Sequence, residues 1–169
     1  MAVEARRLFI SVIGSSECSP EEAAAAEAVG RELARRDAVL VCGGGPGIME
    51  AACRGAKLVG GLTVGILPEA DGSAANLYVD IPIVTGLGWA RNSVVILTGH
   101  AAIAVGGAYG TLSEIAYARM YRRAVIGLGT WELHASRLRD RPVEVASGPI
   151  DAVEKALAAA RAFRERAVR

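Results

Sequence analysis

The sequence predicts an α/β protein built on a mostly parallel sheet with helices on both faces. Short apolar runs at 8–13, 38–42, 62–67, 101–105 and 124–128 are near-continuous rather than alternating, as in strands covered on both sides. The segments between them are long enough for the crossover helices that parallel pairing needs. Composition agrees: 169 residues, 52% hydrophobic and 22% charged, make an ordinary globular chain of one-domain size and exclude disorder and collagen. A chain of this length buries about 70% of its unfolded surface and needs no disulfide or structural metal for its core.

The elements follow in order. The stretch 1–7 leads into an apolar run too short for a signal segment or a membrane span. The first helix opens at Ser19-Pro20-Glu21-Glu22, with Ser19 as cap, Pro20 preset for the first turn and Glu22 completing a capping box. It closes on Arg35-Arg36, which complements the helix dipole. A second helix is expected over 46–59, from Pro46 to the exit at Gly60-Gly61, a third over 88–99 and a fourth over 111–122. The stretch 92–113 lacks Asp, Glu, Lys and Arg, but Thr98-Gly99-His100 and Gly106-Gly107 break it, so it reads as helix end, strand and loop rather than a span. Residues 129–142 turn polar and aperiodic (Trp131, His134, Arg137, Arg139, Asp140), a surface excursion before a short strand at 143–146. The last helix, 149–166, carries Ile150, Val153, Leu157 and Ala160 on one stripe that docks on the sheet.

Charge and reactive residues narrow the function classes. With 19 Lys+Arg against 18 Asp+Glu, no long-range field draws in nucleic acid, and an anionic ligand has to be held locally. Cys18, Cys42 and Cys53 are odd in number, with no C-x-x-C and no nearby His, which points to a reducing cytoplasm and no metal site. His100 and His134 offer little to a Ser-His-Asp triad, and neither Lys57 nor Lys155 sits at a strand end where a pyridoxal Schiff base would form.

Ligands of open parallel sheets sit outside the carboxyl ends of the strands, and this chain puts its glycines there. Gly43-Gly44-Gly45-Pro46-Gly47-Ile48-Met49-Glu50 follows the second strand, and Gly106-Gly107-Ala108-Tyr109-Gly110-Thr111 follows the fourth run. Glycine lets backbone N–H groups approach a phosphate, although glycine at such turns also serves a purely steric need. Neither loop is a P-loop or a dinucleotide fingerprint, which disfavours a kinase or dehydrogenase. Met49 and Tyr109 flank the loops, in reach of a ligand or as packing. Glu114, one turn past Gly110-Thr111, and Arg91 make a candidate acid-base pair in which the guanidinium keeps the carboxylate ionised. The alternative is that Thr111-Leu112-Ser113-Glu114 is only a capping box.

Taken together, Gly43-Gly44-Gly45-Pro46-Gly47-Ile48-Met49-Glu50-Ala51-Ala52 and Gly107-Ala108-Tyr109-Gly110-Thr111-Leu112-Ser113-Glu114 resemble the two signature motifs of the Lonely-Guy-type (LOG) proteins, long mislabelled as lysine decarboxylases. Ala75-Asn76-Leu77-Tyr78 and the run from Thr85 to Asn92 are similar to a bacterial branch near the molybdenum-cofactor carrier proteins. The resemblance implies one Rossmann-like, doubly wound domain over 1–169, cytoplasmic and homodimeric or of higher homo-oligomeric order. It implies no membrane or nucleic-acid partner and no required cofactor. The implied ligand is a small phosphorylated molecule, a nucleoside 5'-monophosphate or the molybdenum cofactor. In the family's enzymes the N-glycosidic bond of the monophosphate is hydrolysed to free base and ribose 5-phosphate. The matching positions are Glu114 and Arg91 for catalysis, with Gly110 and Thr111 for the phosphate. Gly43, Gly44, Gly45, Gly47, Met49, Asn92, Gly107, Ala108 and Tyr109 complete the expected binding set. The chain departs from the enzymes' Pro-Gly-Gly-x-Gly-Thr-x-x-Glu at Gly106, where proline stands, and at Ala108, where glycine stands. Asn92 replaces a lysine. Two functions follow, a phosphoribohydrolase or a non-catalytic carrier or sensor using the same loops.

Overall fold

Strands that are apolar along their whole length need cover on both faces, and alternate residues here enter two separate cores. The structure is a computed structural model that describes residues 7–133 and 142–167. His134, Arg137, Arg139 and Asp140 of the expected excursion, and residues 1–6, lie outside the described residues. Seven strands form one sheet, β1 (Phe9–Gly14), β2 (Val39–Cys42), β3 (Thr63–Leu67), β4 (Ile81–Val84), β5 (Ala101–Val105), β6 (Val125–Leu128) and β7 (Glu144–Val145). Their order is β4-β3-β2-β1-β5-β6-β7, and each ladder among the described residues is parallel, so the sheet is wholly rather than mostly parallel.

Five helices cover it: α1 (Pro20–Arg35), α2 (Ile48–Lys57), α3 (Arg91–Thr98), α4 (Tyr109–Met120) and α5 (Pro149–Ala167). Ile10, Val12, Leu40 and Ile103 pack with α1, α2 and α5, while their strand neighbours Ile13, Val41, Ile66 and Ala104 pack with α3 and α4. This is the Rossmann-like, doubly wound arrangement. The one buried hydroxyl on β1, Ser11 Oγ, is satisfied by the Val95 carbonyl of α3 at 2.8 Å. Glycines let α1 and α2 approach very closely: a Cβ at Gly30 would strike the Ala52 carbonyl, and one at Gly55 the Glu27 carbonyl. No helix among the described residues is long and apolar enough to cross a membrane.

Several expectations need correction. β4 lies outside the apolar runs, because Pro82 interrupts its pattern; proline is tolerated there since β4 is the sheet edge. The connection 68–80 holds no helix, which leaves Ile81, Ile83 and Val84 between 41% and 45% exposed. The helix expected from Pro46 starts at Ile48, because Gly47 takes φ 68° as its cap. The helix expected from 88 begins with a tighter 3-10 turn, Gly88–Ala90, before α3. On α5 the docking contact starts at Ala152, so Ile150 in the first turn is exposed rather than part of the stripe.

The chain winds outward from β1 to β4 and then returns to place β5 on the other side of β1. The loops leaving β1 and β5 therefore diverge, and a crevice opens between them at the carboxyl end of the sheet.

Candidate functional site

That crevice is a cavity of about 240 Å3. Its walls combine both glycine loops, through Gly43, Gly45, Ala108 and Gly110, with the start of α3 and the loop Gly14-Ser15-Ser16 after β1. Of the expected residues, Gly43, Gly45, Met49, Arg91, Asn92, Ala108, Gly110, Thr111 and Glu114 border it.

Gly44, Gly47, Gly107 and Tyr109 do not line it. Gly44 instead ties its loop down: its N–H reaches Cys42 Sγ at 3.3 Å, and its carbonyl accepts from Asn76 N at 2.8 Å and Asn76 Nδ2 at 3.1 Å. Asn76 Nδ2 also reaches the Gly45 carbonyl at 2.9 Å. Gly47 crosses against the backbone of Ser15 and Ser16, and Gly107 packs on the Thr111 side chain. Tyr109 turns outward onto Trp131, ring centroids 5.9 Å apart. Cys42 and Cys53 brace the loop from below, their sulfurs 3.5 Å apart; the bond to Cys42, together with burial, raises the Cys53 thiol pKa. The sequence did not single out Ser15, Ser16, Pro68, Glu69 or Ala74 as lining residues, because which loops adjoin depends on strand order.

α2 and α4 both begin at the cavity, and neither N-cap, Gly47 or Ala108, supplies a side-chain hydrogen bond. The first N–H of α2, Ile48 N, is taken by the Ser15 carbonyl at 3.0 Å, while both helix starts place their positive dipole ends beside the same cavity. Two buried polar atoms beside them, Thr111 Oγ1 and Arg91 Nε, lack a hydrogen-bond partner among the described residues, an exception in a well-satisfied interior. Gly43 gives the guanidinium its room: a Cβ there would lie 2.6 Å from Arg91 Nη2. Arg91 also donates to the Asn92 side-chain oxygen and, at 3.5 Å, to the Gly43 carbonyl. Asn92 Nδ2 donates to Ser113 Oγ at 3.0 Å, so Asn92 holds α3 against α4 and aims Arg91.

Glu114 is not a cap. Because α4 starts at Tyr109, Glu114 lies in its second turn, and its side chain is buried at the cavity floor. Nor does Arg91 keep it ionised: burial pushes its carboxyl up to about 8, against the opposing pull of Arg91. No ion pair or hydrogen bond to that carboxyl is present among the described residues. The expectation of an ionised pair is therefore corrected, since desolvation outweighs a cation that does not touch it.

Fold and site define a Rossmann-like α/β protein with a pocket at the switch point of its sheet. Residues 7–156 match the SLOG cluster4 family, and the chain belongs to that family, within the LOG-type superfamily near the molybdenum cofactor carriers. The molybdenum cofactor binding protein of Rippkaea orientalis is 37% identical, with a TM-score of 0.85 over 92% of this chain and 98% of that one. The Moco carrier protein of Chlamydomonas reinhardtii is 33% identical, with a TM-score of 0.81 over 92% of this chain and 98% of that one. The cytokinin riboside 5'-monophosphate phosphoribohydrolase of Mycobacterium marinum is 33% identical over 66% of this chain and 65% of its own length.

Proposed function

We propose that this pocket holds a phosphorylated, ring-bearing small molecule as cargo, and that the cargo is the molybdenum cofactor. The observation that carries the reading is the pairing of two helix starts without side-chain caps with the Thr111 hydroxyl and Arg91 Nε, unpartnered among the described residues, beside a carboxyl that burial keeps largely protonated at pH 7. A neutral Glu114 does not repel a phosphate and can donate a hydrogen bond to it. An ionised carboxylate would be needed to stabilise an oxocarbenium-like transition state. The likeness, over 92% of this chain, to the molybdenum cofactor binding protein of Rippkaea and the Moco carrier protein of Chlamydomonas supports the same side. Mass spectrometry of the gently isolated protein, followed by reconstitution with molybdenum cofactor, tests it. A stoichiometric phosphorylated pterin is expected, and failure to retain or take up the cofactor would overturn the assignment.

A phosphoribohydrolase reading is favoured by one feature, the presence of Glu114 and Arg91 in the same cavity, as well as by the Mycobacterium relative. Under it, AMP or a related monophosphate yields base and ribose 5-phosphate, and Glu114→Gln abolishes the reaction while leaving binding measurable. Equal, slow release by wild type and variant across a nucleotide panel removes it. We also infer a cytoplasmic protein, consistent with three free thiols at Cys18, Cys42 and Cys53. The uncovered apolar edge at β4 supports assembly as a homodimer or larger homo-oligomer.

A further inference from the structure

One residue at the mouth of the cavity has no role in the site as built so far. Trp89 borders the pocket yet is 80% exposed. The other tryptophan, Trp131, donates its indole N–H to the Ala108 carbonyl at 3.2 Å and packs on Tyr109. Trp89 has no hydrogen-bond or ring partner among the described residues. A large indole left in water next to a cavity forgoes the burial that normally stabilises such a side chain.

Its position is nevertheless held firmly. Thr85 Oγ1 donates to the Leu67 carbonyl at 2.6 Å, Gly86 N to the Glu69 carbonyl at 2.8 Å and Gly88 N to the Pro68 carbonyl at 3.0 Å. The turn carrying Trp89 is thereby fastened to the loop leaving β3, which also lines the cavity. On its inner side the ring lies over the start of α4, since a Cβ at Gly110 would come to 3.4 Å of Trp89 Cζ3. The outer side is open. A cavity of about 240 Å3 falls short of the roughly 300–1,000 Å3 usual for sites that enclose a drug-sized ligand. A molecule whose phosphate reaches the α2 and α4 ends therefore extends over the rim where this indole stands.

We propose that Trp89 is the stacking platform for the planar heteroaromatic ring of that ligand, a purine or a pterin, and the residue by which the pocket prefers ring-bearing phosphates to bare sugar phosphates. This rests on the reading above that the cavity binds a phosphorylated molecule. Base-on-aromatic stacking changes affinity by about tenfold to a hundredfold when the aromatic is removed.

The test is calorimetric titration of wild type, Trp89→Leu and Trp89→Phe with AMP, neopterin monophosphate and ribose 5-phosphate. Circular dichroism and thermal unfolding confirm that the variants fold, as an exposed position permits. Wild type is expected to bind at least one ring-bearing phosphate more tightly than ribose 5-phosphate. Trp89→Leu should lose tenfold or more for that ligand with ribose 5-phosphate unchanged, and Trp89→Phe should recover most of the loss. Comparing AMP with the pterin identifies which ring the platform takes. Unchanged ring affinity in Trp89→Leu, or equal loss for all three probes, overturns the proposal while leaving phosphate binding intact. No binding of any probe by wild type removes both.

Discussion

Replacing Glu114 by glutamine keeps the size of the side chain at the cavity floor and removes its titration, so the variant isolates what burying this carboxyl does to the fold. Burial raises the native carboxyl from 4.5 to about 8. At about 1.4 kcal/mol per tenfold change in proton affinity, the complete displacement amounts to about 5 kcal/mol. The sign follows from proton counting. Between those two values the folded chain binds more protons than the unfolded one, so wild-type stability falls as pH rises through this window and levels off above about 8. The stability difference between wild type and Glu114→Gln should therefore move in the variant's favour by about 4 kcal/mol from pH 5 to pH 9. Urea unfolding of both proteins across that range measures it, and titrations elsewhere in the chain cancel in the difference. A difference that stays flat within about 0.5 kcal/mol would mean an ordinary carboxyl, refuting both the desolvation of Glu114 and the neutral-acid argument for cargo binding.

Other variants probe the same site and the sheet edge. Thr111→Val removes a buried hydroxyl that has no partner, so stability should hold or rise by up to about 1 kcal/mol while AMP affinity falls about tenfold, as read by urea unfolding and calorimetry. Gly43→Ala brings a methyl to 2.6 Å from Arg91 Nη2 and 2.8 Å from Met49 Sδ, both ends of flexible side chains. It should fold with a loss under about 1 kcal/mol yet bind AMP tenfold or more weakly, because the guanidinium is displaced. Ile83→Lys places a charge on the uncovered edge strand, and light scattering should show a smaller particle than wild type, with stability within about 1 kcal/mol.

How far these features could be read from the sequence depended on how local their causes are. The five strands with buried apolar runs were legible because two-sided burial writes itself into consecutive residues such as Ala101 to Val105. The Ser19–Glu22 box was legible too: the Ser19 N–H donates to Glu22 at 2.8 Å, and the Glu22 N–H donates to Ser19 Oγ at 3.2 Å. β4 was not, since a four-residue edge with Pro82 inside it carries no burial pattern and gains its strand character from pairing with β3. In the site, Arg91, Thr111 and Glu114 were found from motif spacing. The protonation of Glu114 was hidden, because it depends on how tightly three helices and the β1 loop close around one carboxyl. Trp89 falls inside the run 85–92 with nothing local to mark it, and its exposure at a cavity mouth is a tertiary fact.

The way the helices are capped argues for what the pocket receives. α1 is closed by Ser19 and Glu22, and the first turn of α5 by Asp151, which accepts from Ser147 N at 2.8 Å and Ser147 Oγ at 3.1 Å. α2 and α4 begin at Gly47 and Ala108, bare of any side-chain cap; a Ser or Asp at Ala108 would add about 1 kcal/mol, whereas Gly47, at φ 68° and against the Ser15 and Ser16 backbone, admits no side chain. Among the described residues α2, α3 and α4 lack a side-chain cap, and the first turns of all three border the cavity. The departure at Gly106 belongs to the same pattern. Its φ of 53° is one a proline ring cannot adopt, and a Cβ there would collide with the Glu22 carboxylate. Gly106 therefore lets the loop leave β5 beneath the capped end of α1 and deliver Ala108 to Thr111 to the cavity. Ala108 itself is extended, φ −110°, a conformation open to any residue, so its methyl needs no strain to sit at the start of α4. Gly106 and Ala108 thus shape the loop that brings the uncapped start of α4 to the cavity wall.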